Sequence, residues 1–190
     1  MKTFPTFLFK KLRADELSLD VGSGSEHFGL ICLGDINIDI GKHVCKSDKP
    51  FVRCDATFLP FTDNLFAQVT MFDVIEHVDS PCRVLKEIKR VMTNDGRLIL
   101  GTPNILNITV ILHTLLHGFY VPHNDHVSAW GRLELDNLMR RVGFRWFTVF
   151  AYTYDDTKHS FLTLIALKFF AFRKDFSGRQ LVAVAEKRGD

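Results

Sequence analysis

Between residues 67 and 102 the chain carries a pattern that restricts its fold more than any other stretch. Residues 67–72 form an apolar run of strand length, and residues 97–102 form another, stopped by Pro103. Between them Val84, Leu85, Ile88, Val91 and Met92 recur at helical spacing and make one apolar stripe. Asp79 or Ser80 can cap this helix, Pro81 suits its first turn, and Asn94-Asp95-Gly96 ends it. A helix with one apolar stripe between two strands buries that stripe by crossing over a sheet, which makes the strands parallel.

The remaining apolar runs extend the alternation. They lie at residues 17–21, closed by Gly22-Ser23-Gly24; at 31–40, one or two strand-like pieces closed by Gly41; and at 51–54, 144–152 and 180–185. A second helix places Leu135, Leu138, Met139 and Val142 on one face, with Gly143 as its stop. Strands alternating with such helices predict an α/β fold, a parallel sheet covered on both sides. At 190 residues with 46% hydrophobic content, one domain over residues 1–190 is expected.

The charges exclude one large class of partner. The 24 Lys and Arg against 22 Asp and Glu leave a net charge of +2, too little for a nucleic-acid footprint. Cys32, Cys45, Cys54 and Cys82 include no CxxC pair, so neither a zinc knuckle nor a redox pair is indicated. Without a disulfide framework or secretory signal, a reducing, cytoplasmic setting is expected. The longest apolar stretches, 105–116 and 161–172, are too short to span a bilayer but long enough to lie on one.

The turn after residues 17–21 is the first candidate ligand site. Glycines at a strand's carboxyl end let the backbone approach a ligand and leave N–H groups exposed. A phosphate-binding GxxxxGK[ST] run is absent. A dinucleotide fingerprint needs a third glycine where His27 stands, which disfavours a nicotinamide oxidoreductase. What remains resembles the class I S-adenosylmethionine-dependent methyltransferases, of the type 11 kind. Asp20-Val21-Gly22-Ser23-Gly24 is similar to that family's D-x-G-x-G motif, and Asp55-Ala56-Thr57-Phe58-Leu59-Pro60-Phe61 to its DAxxLPF segment. Val74-Ile75-Glu76-His77-Val78 resembles its "LEHV" signature. Residues 86–98 resemble its "KEIxRVLxxGGxL" helix and strand. Glu26 and Ala67 depart from the pattern, and residues 25–30 leave little room for the usual helix after the glycine turn.

The resemblance implies a Rossmann-like sheet of seven strands, mostly parallel with an antiparallel last strand, and S-adenosylmethionine as cofactor. It assigns the backbone of Gly22, Ser23 and Gly24 to the methionine part, with Asp20 near the cofactor's amino group or bracing the turn. An acid ending the second strand would accept from the ribose hydroxyls. Asp39 is the first choice and Asp35 the second. Asp55 and Ala56 would hold the adenine amino edge, and Phe72 would pack on the adenine or the methionine tail. The acceptor is expected to be a small molecule. A non-catalytic binding protein of the same fold is the alternative.

Methyl transfer from a sulfonium gains most from positioning, and a hydroxyl acceptor also needs a base. Candidate bases are His77, His113, His117, His123 and His126, with His77 and His126 preferred. Asp73-Val74-Ile75-Glu76-His77 resembles the E-x-x-E-H metal site of some methyltransferases that act on vicinal hydroxyls, with Asp73 and Glu76 expected on one helical face and His123 or His126 able to complete the set, although the metal-free reading is adopted. No HExxH supports zinc.

Residues 104–130 are long for a connection and predict a lid or binding loop, with Asn104 capping its helix and Gly118 ending it. Residues 105–116 leave almost no polar face, and residues 161–172 share that character. Such helices cover each other or a second subunit, or else they meet a membrane surface or an apolar, lipid-linked acceptor.

Overall fold

The computed structural model describes residues 8–24, 32–41, 48–118, 125–152 and 178–188. The elements are β1 (Leu17–Val21), β2 (Ile36–Asp39), β3 (Phe51–Arg53), β4 (Phe66–Phe72), α1 (Pro81–Val91), β5 (Met92–Pro103), α2 (Ile108–His117), α3 (Arg132–Val142), β6 (Trp146–Tyr152) and β7 (Gln180–Glu186). Among the described residues seven strands form one sheet, in the order β3-β2-β1-β4-β5-β7-β6. Strands β1 to β5 pair in parallel, and β7 runs antiparallel to both β5 and β6. The expected mixed sheet with an antiparallel last strand is present. The strand order reverses at β1, which lies between β2 and β4, and in open α/β sheets ligands bind at that reversal.

Strand alternation sorts the core into two layers. Leu19, Val69, Met71, Leu98 and Leu100 point to one face, where they meet Val84, Leu85 and Ile88 of α1 and Leu135 and Met139 of α3. Ile99, Phe72 and Val182 point to the other, with Leu8. Helices were expected on both faces; α1 and α3 share the first. Every residue of β4 is buried, as a central parallel strand requires.

Three local expectations are corrected. Helix α1 ends at Val91, and Met92 is already extended and paired with Phe66. Arg97 then pairs with Gln68, so residues 93–96 bulge opposite the single Ala67, and Asn94-Asp95-Gly96 lies inside β5 rather than before it. Helix α2 is capped by Asn107, whose side chain accepts from the Thr109 N–H, not by Asn104. Asn104 instead accepts from the Leu106 N–H and donates to Gly178 O. Gly118 does end α2, in the left-handed region at φ 75°. Cys32 is disulfide-bonded, where no disulfide was expected; Cys54 and Cys82 are free. Among the described residues no helix is long and apolar enough to cross a membrane. The apolar segment at 161–172 lies outside the described residues.

Candidate active site

A cavity of about 230 Å³ opens at the carboxyl ends of β1, β2 and β3 and the loop after β4. Gly22, Asp39, Asp55, Ala56 and His77 line it together with Asp73. Four candidates read from separate sequence segments, Gly22, Asp39, Asp55 and His77, thus share one space. Val21, Ile38, Val74 and Val78 supply apolar walls.

The glycine turn is shaped by close packing. Gly22 sits at φ 79°, and a Cβ there would overlap the Val74 side chain. The N–H groups of Gly22 and Ser23 both donate to Ile38 O, at 2.9 and 3.0 Å, and the Ser23 hydroxyl joins them at 3.2 Å. Ser23 is buried and ties β1 to β2 rather than facing the cavity. The Gly24 N–H donates to Asp39 Oδ2 at 2.9 Å, and the Gly41 N–H to Asp39 Oδ1 at 2.6 Å. Each carboxylate oxygen accepts two hydrogen bonds, so Asp39 keeps capacity for a pair of hydroxyls.

The other acids separate by function. Asp20 is buried and accepts from the Thr70 hydroxyl at 2.6 Å and the Leu33 N–H at 3.1 Å. It braces β1 against β4 and lies outside the cavity lining. Asp35 precedes β2 and accepts from the Ser18 N–H and hydroxyl at 2.9 and 2.7 Å. That puts it at the amino end of the sheet, away from the site. Asp55 is exposed, and its Oδ1 accepts from the Thr57 N–H at 2.7 Å, so it lines the cavity as part of a tight turn. Phe72 does not line the cavity: it stacks over Gly101 in the second core layer. Burial, then the Asp55 and Asp39 charges, push the Cys54 thiol up, so it stays protonated as part of the wall.

The segment after β4 is a series of turns, not a helix, and Asp73 stands at φ 49°. Asp73 and Glu76 therefore share no helical face. Asp73 Oδ1 accepts from Gln180 Nε2 at 2.9 Å. Glu76 is 1% exposed and accepts from the Thr102 hydroxyl at 2.9 Å. His77 is exposed, with Nδ1 3.1 Å from Asp125 O. A carbonyl only accepts, so Nδ1 carries the proton and Nε2 of the neutral ring is basic. The His126 ring stands 4.7 Å from that of His77, nearly perpendicular. His113 is exposed on α2, and the side chain of His117 and all of His123 lie outside the described residues.

Sequence reading missed Glu87 and Arg90. Their i,i+3 spacing inside α1 is visible, but their targets, the backbone at Leu59 and Phe61, are far away in sequence.

A family model described as a methyltransferase domain matches residues 1–149. An uncharacterised protein of Methanocaldococcus jannaschii is 30% identical over 115 residues, which cover 57% of this chain and 45% of that protein. A demethylmenaquinone methyltransferase of Renibacterium salmoninarum is 30% identical over 95 residues, covering 47% of this chain and 40% of that enzyme. The chain thus spans under half the length of these relatives. A SAM-dependent methyltransferase from Archaeoglobus fulgidus superposes with a TM-score of 0.64 at 17% identity, over 92% of this chain and 87% of that one. One from Methanosarcina mazei covers 100% of both chains with a TM-score of 0.60 at 17% identity. These structural likenesses speak for the fold. Together with the model match over most of the sequence, they show that the chain belongs to the methyltransferase domain family, in its class I S-adenosylmethionine-dependent fold.

Proposed function

We propose that the chain transfers a methyl group from S-adenosylmethionine to a small, apolar acceptor. The observation that carries this reading is Asp39, which ends β2 and lines the same cavity as Asp55 and Ala56. The residues fit the cofactor: an acceptor-only carboxylate suits ribose hydroxyls, and the apolar walls suit a purine. The bound cofactor supplies an activated methyl on a sulfonium. Gly22 leaves the backbone bare at the methionine end, Asp39 holds the ribose, and Asp55 with the Ala56 N–H faces the adenine. His77 Nε2 stands at the cavity as a site for the acceptor's proton.

Two observations support an apolar acceptor. Curated relatives include enzymes named as demethylmenaquinone methyltransferases. On α2, Leu115 and Leu116 are each 75% exposed, a surface suited to an apolar molecule. Calorimetric titration with S-adenosylhomocysteine, then methyl transfer to a hydroxylated, prenylated ring acceptor followed by mass spectrometry, tests the proposal. Binding with turnover supports it; binding without turnover on any acceptor makes the chain a non-catalytic member of the fold.

A further inference from the structure

We propose that a second cavity, at the opposite end of the sheet from the glycine turn, binds a phosphate group. It encloses about 160 Å³ where α1 and α3 end, β6 begins and β7 closes. Lys89, Arg145, Lys187 and Arg188 line it, with Glu186 as the acid in its wall. Four cations against one carboxylate exceed the net charge of +2 carried by the whole chain.

Nearby negative groups do not neutralise this cluster. Glu186 gives Oε1 to Arg97 at 2.9 Å and Oε2 to Arg188 at 3.3 Å. Asp63 attracts Lys187 but pairs with Arg90 at 2.7 Å. The carbonyl ends of α1 and α3 face the same place: Lys187 Nζ donates to Met92 O at 2.8 Å, and Lys89 Nζ to Gly143 O at 2.7 Å. A helix end carries roughly half an elementary charge, so the two ends together offset about one cation and leave the others. Lys187 also donates to Asn64 Oδ1, a neutral partner, at 2.8 Å. An ammonium has three donors, so both lysines retain capacity for a ligand. Both are half-buried. Burial pushes the Lys187 ammonium down, and the Lys89 charge adds to this against the pull of Asp63. Like charges kept together partly out of water are costly, and an anion between them offsets that cost. Arg188 stands over the Trp146 ring, its guanidinium carbon 4.4 Å from the centroid, which restrains its fork at the rim.

A phosphate monoester brings close to two negative charges and three acceptor oxygens, which suits two ammonium groups and a guanidinium fork. A carboxylate brings one charge and leaves the cluster unbalanced. Trp146 and Glu186 also border an apolar groove on the β6–β7 surface, with Leu8, Phe150 and Val184. The phosphate therefore comes free in solution or on a lipid whose chain lies along that groove.

The test is calorimetric titration with inorganic phosphate, together with co-sedimentation on phosphatidylcholine vesicles with and without phosphatidic acid. Saturable binding of inorganic phosphate supports a free ligand, and co-sedimentation that requires phosphatidic acid supports a lipid headgroup. In the assay that reports binding, Lys89→Gln and Lys187→Gln should each weaken it by about tenfold. Lys86→Gln removes an exposed charge elsewhere on α1 and should leave it unchanged. Lys187 also fastens Asn64 and Met92, so Arg145→Gln, at an exposed position, serves as a further variant and should weaken binding in the same sense. Circular dichroism melts verify that each variant folds. Binding of neither probe, parent-like binding by folded Lys89→Gln and Arg145→Gln, or an equal loss in Lys86→Gln overturns the proposal. S-adenosylhomocysteine titration of the same variants reads the cofactor cavity separately, so the two readings fail independently.

Discussion

Glu87 and Arg90 face each other on α1 through two parallel hydrogen bonds, Nε to Oε1 at 3.0 Å and Nη2 to Oε2 at 2.8 Å. The guanidinium also donates to Leu59 O, Phe61 O and Asp63, and Glu87 Oε2 accepts the Leu59 N–H. The pair clamps the loop that begins with Asp55 and Ala56 onto the helix beneath it. A fork of planar donors meets these acceptors in a way a lysine ammonium cannot.

Arg90→Ala should therefore cost about 2–3 kcal/mol of stability, since it leaves two carboxylates and two carbonyls without their charged donor. It should also weaken S-adenosylhomocysteine binding by loosening the Asp55 turn. Urea unfolding and calorimetry check both, and Arg90→Lys should recover only part of the loss.

The same contacts set an acid dependence. The Arg90 hydrogen bonds hold the Glu87 carboxyl below its ordinary value, and those of Arg97 do the same for Glu186. Both carboxylates bind protons more readily unfolded than folded. Their contribution is complete above the unfolded value of 4.5 and is lost as pH falls through the lower folded values. Unfolding free energy should fall on acidification below about pH 5, and Glu87→Gln should show a shallower fall. An unchanged slope in that variant would contradict the assignment.

The sheet was legible because strand runs and glycine stops are local signals. The same signals placed Gly22, Asp39 and Asp55 at strand ends, where the parallel sheet gathers them. Asp35 and Asp39 could not be separated by pattern, because the choice depends on where β2 starts. Pairing of Leu19 with Ile36 puts Asp35 before the strand and Asp39 at its end. Phe72 was misplaced although parity was available: Val69 and Met71 face α1, so Phe72 faces the opposite layer. Met92 fits the helical stripe and is fully buried, but strand pairing claims it. His126 stands beside His77 because the Val127 and Ser128 N–H groups donate to Glu76 O some 50 residues away in sequence, which no local spacing reveals.

Gly22→Ala should lose both stability and cofactor affinity. The new Cβ meets Val74, and φ near 79° is unfavourable for alanine by about 1 kcal/mol or more. Adding Val74→Ala should restore part of the stability by clearing the overlap, leaving the backbone cost. If the double variant is no better than Gly22→Ala alone, the contact with Val74 is not what requires glycine.

Leu115→Glu on α2 should leave the melting free energy within about 0.5 kcal/mol, because the side chain is 75% exposed. Turnover of an apolar acceptor should fall. Ile108→Glu, at a buried position, should instead unfold the domain. A large loss of stability in Leu115→Glu would return that face of α2 to the core.

Calorimetric titration of S-adenosylhomocysteine into the parent protein, Asp39→Ala and Asp35→Ala tests the account most directly. The parent should bind at one site. Asp39→Ala should bind about 1–3 kcal/mol more weakly while remaining folded, the cost of unpaired ribose hydroxyls and of the freed Gly24 and Gly41 N–H groups. Asp35→Ala should bind like the parent and melt at a lower temperature, since its carboxylate serves Ser18. No binding by the parent, or equal binding by a folded Asp39→Ala, would contradict the assignment of this cavity to the cofactor.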